Sequence, residues 1–100
     1  MVAQKVDIPM AEIMALCSRY QVRELALFGS VLRDDFRADS DIDMLVEFAP
    51  DAEIGFMTLA RMARELTALL HRKVDLVPKS GLKQRIRRDV LAASKVLYAA

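Results

Sequence analysis

The chain predicts a small α+β domain in which helices alternate with short strands in the order α-β-α-β-α-β-α. Three observations carry this expectation. Short apolar runs end at glycine or proline, longer stretches repeat apolar residues at helical spacing, and the two kinds of segment alternate along the chain. The 100 residues suit one domain spanning 1–100, and 54% apolar against 29% charged residues is enough for a core.

Each element follows from its residues. Pro9 suits the first turn of a helix, where its missing N–H costs nothing, and Met10, Ile13, Leu16, Cys17 and Tyr20 continue at helical spacing. Leu25 to Phe28 reads as a strand stopping at Gly29, and Ser30 to about Asp35 as a short helix. From Asp41 to Phe48, Ile42, Met44, Val46 and Phe48 alternate with Asp41, Asp43, Leu45 and Glu47, which is the period of a strand. Pro50 and Gly55 bracket a loop. Phe56, Leu59, Ala63, Leu66 and Leu70 then form a helical stripe, with Arg61 and Glu65 placed to pair outside it. Val74 to Val77 is a strand stopped by Pro78. A last helix follows Gly81 with Leu82, Ile86, Val90, Ala93 and Leu97 as its stripe.

Composition excludes several classes. The net charge of +1 supplies no bulk basicity for nucleic acid. Cys17 is the sole cysteine, which rules out an internal disulfide and suits a reducing cytoplasm. No apolar run approaches a membrane span, and Lys5 and Asp7 fall where a signal peptide needs an apolar core. A soluble cytoplasmic protein is expected. Lys79, Lys83, Arg85, Arg87 and Arg88 form a basic cluster, read first as a solvated face and second as an aid to phosphates or an acidic partner. Cys17 and most methionines read as core, with Met57 and Met62 as candidates for a partner surface.

Chemistry concentrates in Gly29-Ser30, ten further residues, and Asp41-Ile42-Asp43. Period two puts Asp41 and Asp43 on one face of a strand, with Cα atoms about 6.5–7 Å apart. Two such carboxylates can serve one metal, or two metals about 3.5–4 Å apart. Magnesium prefers a few carboxylates, water and substrate phosphates to a closed protein cage. Asp75 interrupts an apolar strand and is a third candidate, since a charge inside a buried strand is costly unless paired. Gly29 permits a backbone turn denied to other residues, and a helix beginning at Ser30 would point N–H groups at a phosphate. Arg33, one turn on, could meet the same anion. The competing reading makes the aspartates solvated charges on a strand edge and Gly-Ser an ordinary turn. Asp39 and Ser40 read as shaping the turn into the strand.

Gly29-Ser30-x10-Asp41-x-Asp43 resembles the signature of the DNA polymerase β-like nucleotidyltransferase superfamily. Leu27 to Arg33, Ser40 to Phe48 and Val74 to Val77 more narrowly resemble the minimal nucleotidyltransferase family, as do Leu82-Lys83, Ile86-Arg87 and Leu97-Tyr98, which look like its final helix. The chain departs from that pattern at Leu32 and Asp34, and at His71, where a glycine is common. The resemblance implies the nucleotidyltransferase fold, with a small mixed sheet of three to four strands packed with helices. It implies ATP as co-substrate and Mg²⁺, two ions being expected. Gly29, Ser30 and Arg33 would hold phosphates, Asp41, Asp43 and Asp75 would bind metal, and Asp75 would help deprotonate the acceptor hydroxyl. Many small members resemble antitoxins of a helical RNase toxin, HEPN, which they silence by adding AMP to a tyrosine. A HEPN toxin is therefore the expected partner and source of the acceptor, in a homo- or hetero-oligomer, with no membrane and no direct nucleic-acid contact. The alternatives are an antitoxin that neutralises by binding alone and a small-molecule nucleotidyltransferase.

Overall fold

A computed structural model describes residues 8–29, 41–82 and 84–100, the side chains of 84–87 excepted. In chain order the described elements are α1 (Met10–Arg19), β1 (Val22–Phe28), β2 (Ile42–Phe48), α2 (Phe56–Leu70), β3 (Val74–Pro78), a 3₁₀ turn (Lys79–Gly81), α3 (Gln84–Ala93) and β4 (Lys95–Ala99). The short helix expected from Ser30 to about Asp35 and the turn at Asp39 and Ser40 lie outside the described residues.

The four strands form one mixed sheet in the order β3-β2-β1-β4. β1 pairs antiparallel with β2 and with β4, while β2 and β3 run parallel. A parallel pair requires a crossover, and α2 supplies it. The alternation expected in β2 is observed: Ile42, Met44, Val46 and Phe48 turn to the core, and Asp41, Asp43 and Glu47 to the other side. The core combines Ile13, Leu16 and Cys17 of α1, Leu25 and Leu27 of β1, Met62, Leu66 and Leu70 of α2, and Val74 and Leu76 of β3. An irregularity between Val22 and Glu24 turns Val22 into this core opposite Phe48.

Several helix expectations need correction. The last helix ends at Ala93, and Leu97 and Tyr98 lie in β4. The N–H and the hydroxyl of Ser94 both donate to the carbonyl of Leu91, closing the helix, and the next residues gain ladder partners along β1. In α2 the buried residues are Met62, Leu66 and Leu70, whereas Phe56 is 80% exposed. Met62, a surface candidate by sequence, is thus a core residue, and Met57 is exposed. Glu65 accepts hydrogen bonds from Arg19 and from the Tyr20 hydroxyl of the α1 end, so its partners lie across the helix interface and Arg61 acts on it only through charge. Those two bonds, the Tyr20 bond foremost, hold the Glu65 carboxyl below its ordinary range. Burial pushes the Cys17 thiol up to about 11, in keeping with its inert core position.

Candidate active site

The residue pattern of the sheet's second face can be read from its register. Phe28 lies opposite Asp43 and Asp43 beside Asp75, so one row runs Phe28–Asp43–Asp75. The next row is Ala26–Leu45–Val77. Asp41 immediately precedes β2, two residues before Asp43, and so extends the same face outward. All three predicted carboxylates therefore share one face at one end of the sheet, where β1 stops and the parallel pair begins. The observed pairing adds what periodicity within one strand could not supply: Asp75 is the direct neighbour of Asp43.

Backbone bonds set this end. The N–H of Ile42 donates to the carbonyl of Lys73 (2.8 Å), locking the start of β2 to the start of β3. The Thr67 hydroxyl accepts from the N–H of Val74 (3.1 Å) and donates to the carbonyl of Ala63 (2.9 Å). Thr67 thereby ties α2 to the residue before Asp75. His71 ends α2 with φ 56°, a left-handed cap that turns the chain into β3. This explains why glycine suits the position; histidine adopts this left-handed conformation more readily than most other residues.

Gly29 has two independent reasons to be glycine. Its φ is +77°, and a Cβ there would stand 3.2 Å from Cγ of Asp43 and collide outright with its Oδ2. The bare backbone of Gly29 is thus packed against the Asp43 carboxylate, joining the end of β1 to the first row of the site. Ser30 and Arg33, the other two expected phosphate contacts, lie outside the described residues.

Exposure differs among the carboxylates. Asp43 is half-buried, whereas Asp75 is exposed because β3 is an edge strand. The expectation that Asp75 sits inside a buried strand is thereby corrected: its charge meets water and needs no buried partner. The Asp41 side chain is 50% exposed, and Nζ of Lys73 stands 4.0 Å from its Oδ2. Among the described residues, no three His, Cys, Asp or Glu side chains converge closely enough to enclose a metal ion. The set is an open one. Hard oxygen donors on one exposed face suit a magnesium whose remaining places are filled by water and phosphate.

Sequence reasoning missed two cations on this face. Lys73 precedes Asp75 by two residues just as Asp41 precedes Asp43, and that repeated spacing was the available signal. Lys79 was grouped with the basic cluster. It instead bonds Glu24 and reaches Glu47 at 3.4 Å, so it is neutralised within the sheet. Those carboxylates, Glu24 first, raise its pKa.

A mixed sheet that brings two alternating aspartates and a third beside a glycine turn is the frame of a nucleotidyltransferase. The chain belongs to the nucleotidyltransferase domain family, which it matches over residues 13–97. It is 41% identical over 76 residues to the protein adenylyltransferase MntA of Thermococcus cleftensis, covering 76% of this chain and 75% of that protein. Its fold is shared with a chain of a toxin–antitoxin crystallised with AMP-PNP, at TM-score 0.75 and 23% identity over 93% of this chain and 75% of that one. It is shared also with a chain from the complex of tri-AMPylated Shewanella oneidensis HEPN toxin with MNT antitoxin. There the TM-score is 0.66 and identity 22%, over 91% of this chain and 70% of that one.

Proposed function

We propose that this nucleotidyltransferase is an antitoxin that moves AMP from ATP to a tyrosine hydroxyl of a HEPN toxin. The observation that carries the reading is the row Asp43–Asp75, extended by Asp41 and backed by Gly29, in a chain 41% identical to a protein adenylyltransferase. The acceptor oxygen forms a bond to the α-phosphorus, the bond to the bridging oxygen breaks, and pyrophosphate leaves. Asp41 and Asp43, with Asp75 completing the set, would hold magnesium, which supplies charge neutralisation at the phosphates. Asp75 would take the acceptor's proton, and its exposure on the edge strand supports that role. Gly29, with Ser30 and Arg33, would hold the phosphates, the glycine by allowing close backbone approach.

The site is reached from solvent at a sheet edge, which suits an acceptor carried by another protein. ATP, magnesium and a reduced Cys17 belong together in the cytoplasm. A net charge of +1 gives no drive toward nucleic acid, and among the described residues no helix is long and apolar enough to cross a membrane.

The test is incubation with a candidate HEPN toxin from the same genome, magnesium and α-labelled ATP. Label on the toxin and loss of its RNase activity are expected. A folded protein that leaves the toxin unlabelled overturns the reading. Toxin neutralisation that survives Asp41→Asn with Asp43→Asn points instead to neutralisation by binding alone.

A further inference from the structure

The least explained charge at the candidate site is Lys73. On the shared face it stands beside Asp41 as Asp75 stands beside Asp43, giving a two-by-two patch of three carboxylates and one ammonium. Its backbone is held on both sides, by the bond from Ile42 N–H to its carbonyl and by the bond from Val74 N–H to Thr67. Its side chain is the opposite: 76% exposed, with Nζ 4.0 Å from Asp41 Oδ2. Such an exposed pair at the limit of contact contributes little and exchanges readily, and the four-carbon stem lets the ammonium move while the backbone stays. Lys79 on the same face shows the contrast, since it is only 24% exposed and held by two glutamates.

We propose that Lys73 is a two-position cation. While the site is empty it neutralises Asp41. When magnesium takes that carboxylate, two like charges would be left side by side, and Lys73 moves to the phosphates of the arriving nucleotide. Lys73 thus opposes metal binding to the free protein and favours binding of the metal–nucleotide complex. This rests on the assignment of Asp41 to metal made above, and on no property of the toxin.

Both halves can be read without any acceptor. Binding of Mn²⁺ alone is followed by electron paramagnetic resonance, and binding of ATP with magnesium by calorimetry, on the whole chain. Lys73→Met is expected to bind Mn²⁺ about 2–5-fold more tightly, the fold-change that loss of an exposed ion pair allows. The same variant is expected to bind ATP with magnesium about 5–10-fold more weakly, the scale of one charge-assisted hydrogen bond. Lys73→Arg, which keeps the charge, restores nucleotide binding. Unchanged Mn²⁺ affinity in Lys73→Met overturns the first position, and unchanged nucleotide affinity overturns the second. Asp41→Asn with Asp43→Asn is the control. If it retains full Mn²⁺ binding, the metal assignment itself fails, an outcome distinct from failure of Lys73.

Discussion

Glu24 and Glu47 face each other across β1 and β2, and Asp43 stands beside Asp75 about 13 Å further along the same face. Carboxylates side by side on a sheet repel, and the two ends of this face answer that repulsion differently. At the glutamate end, Lys79 folds back from the turn after β3, bonds Glu24 and reaches Glu47, with all three side chains partly shielded. At the aspartate end, Asp75 and Asp41 face solvent and Lys73 stands in the open. A carboxylate pair closed by a fixed cation contributes to folding. Asp41 and Asp75 instead meet solvent, and the lysine beside Asp41 is itself exposed. The lysine after β3 turns inward and closes one carboxylate pair, whereas the lysine before β3 stays exposed beside Asp41.

Asp41→Asn with Asp43→Asn is expected to lower AMP transfer by roughly 10³-fold or more, since metal charge stabilisation is worth several kcal/mol. The melting temperature of Asp41→Asn alone should hold, because its 4.0 Å contact with Lys73 is exposed and weak. A fall of several degrees would mean that Asp41 is structural. Gly29→Ala comes next. It forces a Cβ onto the Asp43 carboxylate and a side chain into a left-handed φ, costing about 1–2 kcal/mol in urea denaturation. Transfer should fall by about 10²-fold as Asp43 is pushed aside. Wild-type transfer from this variant would show that the contact between Gly29 and Asp43 does not matter.

Lys79→Met is the mirror experiment. It leaves Glu24 and Glu47 opposed without their cation, at a cost of about 1–2 kcal/mol of stability once partial exposure is allowed for. Nucleotide affinity should stay within a factor of two. Because the two glutamates raise the Lys79 pKa, its contribution is complete below the ordinary lysine pKa. It is lost only as pH rises through the raised value. The smallest effect belongs to Glu65. Its folded pKa is depressed, so its contribution is present above the ordinary carboxylate pKa and disappears as pH falls through the depressed one. Glu65→Gln should therefore lower the urea midpoint near neutral pH and converge with wild type in acid. Parallel curves at both pH values would remove Glu65 from the acid response.

Much of this was legible beforehand. The alternation from Asp41 to Phe48 placed two aspartates away from the core. The position of Gly29 at the end of an apolar run marked a turn, and Lys73-Val74-Asp75 marked a third carboxylate. Local patterning was less informative where two periods agree. Leu97 lies four residues after Ala93 and so extends a helical stripe, yet Lys95–Ala99 is a strand, because Ser94 ends the helix and β1 offers an open edge. Met62 lies three residues after Leu59 and four before Leu66, at the edge of the stripe drawn through Phe56, and became core because α2 packs that side against β3 and α1.

The order of residues along the chain determines which carboxylates exist, which face of their own strand they take and where a turn must be glycine, because these depend on steric and periodic rules within a few residues. It does not determine that Asp75 stands beside Asp43, that Glu65 answers Tyr20 and Arg19, or that one lysine closes a carboxylate pair while another stays open. Those relations join residues 32 to 55 positions apart. They arise from strand register and helix packing, where many small contacts are satisfied at once and no local rule fixes the partner.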